Sequence, residues 1–91
     1  MKVNICGIPY LILEREDWFD ADTHMGMISY KDAVIRINKD MSDEIKSETI
    51  CHEVLHGILI HIGREDLSLD EQLVQALANA INQSFAVRIE E

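Results

Sequence analysis

The sequence is poor in cations. Eight Lys and Arg stand against 17 Asp and Glu, which leaves a formal net charge of −9. No stretch gathers Lys and Arg on one face, so a nucleic-acid partner, which needs phosphate-neutralising cations, is excluded. A neutral or basic ligand stays compatible with such a charge. Cysteine is scarce too. Cys6 and Cys51 show neither C-x-x-C spacing nor the density of a secreted disulfide framework, and each reads as a small core residue. With one proline and no Pro/Gly/Ser-rich linker, repeat or low-complexity tract, residues 1–91 read as a single domain with a small core. Long hydrophobic runs are also missing, and none approaches the roughly 20 residues of a membrane span. The apolar opening over 3–13 is interrupted by Asn4, Gly7 and Pro9, and Glu14, Arg15, Glu16 and Asp17 follow where a signal peptide would be cleaved. The expected location is therefore cytoplasmic, with no membrane partner.

What is present changes character once, near Asn38. Before it the pattern is strand-like. Val3-Asn4-Ile5 and Tyr10-Leu11-Ile12-Leu13 flank Gly7 and Pro9, while 25–30 and 33–37 surround Lys31-Asp32 at hairpin spacing. Residues 14–24 read as an irregular acidic segment containing Trp18 and Phe19, a wall for a substrate side chain or an anchor to the core. After Asn38 the pattern is helical. Ser42 is suited to cap a helix, Asp43 and Glu44 complement its dipole, and Gly63 can stop it, giving a helix over about 43–62. Its second half is apolar nearly all round apart from histidines, as in a buried helix. Ser68 can cap a second helix over about 69–85 with Leu69, Leu73, Ala76, Leu77, Ala80 and Ile81 as its apolar stripe, and residues 86–91 form a last short strand or a tail. Strands over about 2–38 followed by two helices predict an α+β fold, a small antiparallel or mixed sheet packed on the first helix.

That first helix carries His52-Glu53-Val54-Leu55-His56, an H-E-x-x-H motif. At 100° per residue the two histidines lie about 40° apart on one face, one turn above the other. Two imidazole nitrogens so placed can share one tetrahedral ion. Glu53 is offset by roughly 80–100° and stands beside the ion, where a carboxylate can take a proton from bound water. Burying two histidines and a carboxylate in an apolar segment costs several kcal/mol unless something satisfies them, and a metal does. The third protein ligand is open among several residues. His61 is about 140° round the helix from His56 and reads as a core-edge residue. Glu71, fifteen residues after His56 and in the first turn of the second helix, is favoured, because His2Glu is a recognised zinc set. Competing with that role is a capping box, Ser68-Leu69-Asp70-Glu71, in which Glu71 would reach back to the cap. Asp70, Glu65 and His24 trail as ligands.

The segment 49–58 around the motif, with Asp70-Glu71-Gln72-Leu73-Val74-Gln75-Ala76-Leu77-Ala78-Asn79 after it, resembles small phage-type and mobile-element gluzincins, related to the ImmA/IrrE-like metallopeptidases and the minigluzincins. Gly7, Tyr10, Gly26-Met27-Ile28 and Ile35-Arg36-Ile37 are similar to the short strands that precede the motif helix in that group. The resemblance implies a zincin-like fold and a zinc-dependent peptidase acting on a peptide or protein substrate. His52, His56 and Glu71 would be its metal ligands and Glu53 its general base. Gln75 stands where larger gluzincins place an acidic second-shell residue, and can orient a ligand by hydrogen bonding. A further oxyanion donor would come from His24, Tyr10 or Tyr30, and an extended peptide would add to an edge strand at 25–30 or 33–37. The competing expectation is a zinc-stabilised module that binds a protein without cutting it.

Overall fold

In the computed structural model, which describes residues 1–16 and 25–91, four strands precede the helices. They are β1 (Lys2–Ile5), β2 (Ile8–Arg15), β3 (Gly26–Ser29) and β4 (Val34–Asn38). A two-residue turn joins β1 to β2, with Cys6 at φ 51° and Gly7 at φ 84°. Positive φ at both positions gives the backbone twist that suits a tight hairpin. Pro9 is tolerated inside β2 because it precedes Leu11, where pairing with β4 begins.

The sheet order is β1-β2-β4-β3. β1 and β3 run antiparallel to their neighbours, whereas β2 and β4 are parallel, so the sheet is mixed. Of the two strands expected to offer an edge, β4 is interior and β3 is the edge. The opposite edge, along β1, is met by the C-terminal segment through Lys2 and Glu90, whose backbones exchange hydrogen bonds of 2.7 and 2.8 Å. Val3, Ile5, Tyr10, Ile12, Ile35 and Ile37 point from one sheet face onto Ile50 and Val54 of the helix α1 (Asp43–His61). Full burial of such side chains stabilises by about 1.5–3 kcal/mol each.

Sequence signals at the ends of α1 hold. The Ser42 hydroxyl accepts from the Ile45 N–H. At the other end the N–H of Gly63 bonds Ile60 and that of Arg64 bonds Leu59, with Gly63 at φ 83°, a Schellman stop that needs a left-handed residue. Two other glycines set how closely the sheet sits on α1. A Cβ on Gly57 would lie 2.9 Å from Ile5 and 3.1 Å from Ile28, and one on Gly26 would lie 2.7 Å from Thr49. β3 therefore lies directly beside the motif.

The chain beyond α1 departs from expectation. A short helix, α2 (Glu65–Ser68), intervenes, and α3 runs over Glu71–Ser84. Asp70, not Ser68, caps α3, accepting from the Leu73 N–H at 3.1 Å. Aspartate caps as well as serine does, and Ser68 is used inside the protein instead. The inward face of α3 is also rotated from the expected stripe. Val74 and Ala78 are buried, whereas Leu69, just outside the helix, is 75% exposed and Leu77 lies at the surface. Polar contacts with α1 fix that rotation, from Ser47–Asn82 at one end through Glu48–Gln75 to His52–Glu71 at the other, so the two helices are antiparallel. No helix among the described residues is long and apolar enough to cross a membrane.

Candidate metal centre

His52 and His56 face the open side of α1, one turn apart, with their Nε2 atoms 3.2 Å from each other. The short α2 reverses the chain so that Glu71, the first residue of α3, reaches both. Its two carboxylate oxygens lie 2.9 Å from His56 Nε2 and 3.2 Å from His52 Nε2. These three residues are the group of His, Cys, Asp and Glu able to hold one metal ion among the described residues. Tetrahedral ligands about 2.0–2.1 Å from one zinc ion stand roughly 3.3 Å apart. One ligand atom from each of the three residues lies within 4.8 Å of the others, so the residues fit a single metal ion.

The tautomers point the same way. The Ser68 hydroxyl lies 2.9 Å from His56 Nδ1 and 3.5 Å from the His56 carbonyl oxygen. When the hydroxyl accepts from Nδ1–H, the Nε2 lone pair is left facing the site. Metal-binding histidines are commonly held through their other nitrogen in this way. Burial lowers the pKa of His56, opposed by the Glu71 carboxylate, so the neutral, metal-binding form is favoured. His52 is held less well, since its buried Nδ1 has no hydrogen-bond partner among the described residues.

Glu53 lies beside this trio and outside it. It is buried, and its carboxyl is pushed up to about 7, chiefly by desolvation and further by the negative charge of Glu71. The site lies in an open groove of about 1020 Å³ between β3 and the α2–α3 segment, floored by α1. Tyr30 lines this groove and Tyr10 does not. Tyr10 is fully buried, with its hydroxyl 2.6 Å from His61 Nε2.

The described residues named from the sequence now have a place. His52, His56 and Glu71 come together, with Glu53 adjacent. His61 is a core-edge residue as expected, bound to Tyr10. Glu71 is at the site and not in a capping box, because Asp70 takes the cap. Asp70 and Glu65 stand outside the trio, the first capping α3 and the second lining the groove. Gln75 does not orient a ligand; it donates to Glu48 at 2.6 Å and Asn79 at 2.9 Å. Ser68 has the supporting role instead. Its position twelve residues after His56 carries no periodic signal, since the short α2 turn brings it back. His24, Trp18 and Phe19 lie outside the described residues. Cys51 is a buried core residue as expected, and Cys6 is an exposed turn residue.

No protein-family model, curated protein or solved structure matches this chain, and the geometry of the site is what bears on its function.

Proposed function

We propose that this chain is a zinc-dependent peptidase of the H-E-x-x-H, gluzincin type, with a zincin-like fold. His52, His56 and Glu71 hold the metal and Glu53 is the general base. The observation that carries this reading is the convergence of two imidazole Nε2 atoms and a carboxylate on one point of an open groove. A bound zinc supplies Lewis acidity and lowers the pKa of water towards about 7. Glu53, beside that point, accepts the proton of the attacking water and returns it to the leaving amine. Tyr30 can donate its hydroxyl hydrogen to the scissile carbonyl oxygen, a role closed to Tyr10 by its bond to His61.

The strand edge supports a peptide substrate. The Asn38 N–H bonds the Met25 carbonyl, which makes 25 and 38 a hydrogen-bonded pair in the β3–β4 register. Hydrogen-bonded pairs alternate in an antiparallel ladder, so Gly26 and Ile28 turn their N–H and C=O groups away from β4. Both residues line the groove, where an extended peptide can add as a further strand.

Metal content of protein purified without chelator tests the reading. One zinc per chain in the parent and in His61→Ala, lost in Glu71→Ala, is expected. Hydrolysis of a mixed peptide pool should then disappear in Glu53→Gln while zinc stays bound. Zinc without hydrolysis by the parent would instead indicate a non-catalytic binding module. Absence of bound metal after zinc is supplied would sink both readings.

A further inference from the structure

The groove follows α1 from Ile45 to Ile60. At 1.5 Å per residue that is about 22 Å, the length of six or seven extended residues. Gly26 lies against Thr49, Ile28 against Gly57 and the Tyr30 ring against His61, so β3 runs in the same direction as α1. The metal trio sits near the middle of this length, which leaves a subsite on either side.

The two subsites differ in charge. Among the described residues Glu48, Glu53, Glu65 and Glu71 line the groove, and no Lys or Arg does. Glu53 and Glu71 belong to the metal centre. Glu48, towards the start of α1, already accepts a 2.6 Å hydrogen bond from Gln75. Glu65, at the other end, has no ion pair or side-chain hydrogen bond among the described residues. Its neighbour Arg64 is turned to Asp66 instead, through hydrogen bonds of 3.1 and 2.9 Å. At this end the lining also includes Tyr30, whose ring faces His61, Ile60 in the last turn of α1, and the highly exposed Leu69, whose N–H bonds the Glu65 carbonyl. A carboxylate set beside apolar surface is complementary to a side chain with a long aliphatic stem and a cationic head.

Resting on the peptidase reading above, we propose that the groove selects an extended peptide carrying lysine or arginine, its stem on Tyr30, Ile60 and Leu69 and its charge at Glu65. Because Glu65 is solvent-exposed, the selection is modest and salt-sensitive.

The test uses the zinc-loaded, full-length Glu53→Gln protein and blocked alanine–leucine hexapeptides carrying lysine, norleucine or glutamate at each position in turn. Binding is measured by calorimetry at low and high salt. Lysine should bind roughly three- to fivefold more tightly than norleucine at one position only, with glutamate weaker still. The preference should shrink at high salt. Adding Glu65→Lys should invert the order of lysine and glutamate while zinc content stays unchanged. Equal binding of all three peptide sets, or an order that survives Glu65→Lys, would overturn the inference and leave the peptidase reading intact. If no peptide bound the zinc-loaded protein, both would fall.

Discussion

His56 and His61 lie five residues apart on the same helix, each beside a hydroxyl, and the structure puts them to opposite uses. His56 engages Ser68 through Nδ1, which leaves Nε2 aimed into the groove beside His52 and Glu71. His61 engages Tyr10 through Nε2, so its outward nitrogen is already taken by the core. Residue type and helix are shared, yet one histidine can bind a metal and the other holds a buried phenol. The side of the helix, and the nitrogen left free there, decides the role.

The largest expected contrast comes from removing each imidazole. His56→Ala should abolish stoichiometric zinc, weakening affinity by more than the about 10- to 100-fold typical of outer-shell changes. His61→Ala should keep one zinc per chain but leave the Tyr10 hydroxyl buried and unpaired, costing about 1–3 kcal/mol in urea unfolding. Zinc bound by the first variant as by the parent would break the comparison.

Next comes the carboxylate one turn before His56, Glu53. Burial pushes its carboxyl up to about 7 from an ordinary value of 4.5. The metal-free native state therefore binds its proton more tightly than the unfolded chain does. This contribution is fully present below about pH 4.5 and is lost as pH rises through about 7. In chelator, Glu53→Gln should remove that slope and be more stable than the parent above pH 7, by an amount on the order of 1–3 kcal/mol. Parallel pH–stability curves for the two proteins would refute the burial argument.

Ser68→Ala sharpens the comparison further. Freed of its hydroxyl partner, His56 can turn or change tautomer, and zinc affinity should fall by about 10- to 100-fold at unchanged stoichiometry. Competition with a chromogenic chelator measures this. The smallest effect is expected from Tyr10→Phe. It removes the partner of His61 and should cost about 1 kcal/mol of stability with no change in zinc affinity.

Much of this centre was legible in the chain. H-E-x-x-H on a strongly helical segment places His52, Glu53 and His56 by local geometry alone, and Ser42 and Gly63 mark the ends of that helix within a residue. Glu71 was legible as one of two possibilities, ligand or cap. The competing cap, Asp70, lies adjacent in sequence and is chemically equivalent to Ser68, so pattern could not choose between them. The face of α3 was misjudged because Leu69, Leu73 and Leu77 carry more apolar surface than Val74 and Ala78, the residues it buries. The observed face also carries the hydrogen bonds from Gln75 to Glu48 and from Ser47 to Asn82.

The sequence by itself determined the four strands, the helix that carries the two histidines, and the spacing that puts them on one face, because these depend on neighbours within a few residues. Only the tertiary structure decided that β4 inserts between β2 and β3, that β3 is the edge strand beside the motif among the described residues, and that Ser68 and Glu71 return to His56. Those choices rest on contacts between residues far apart in the chain, where packing and hydrogen-bond satisfaction outweigh local propensity.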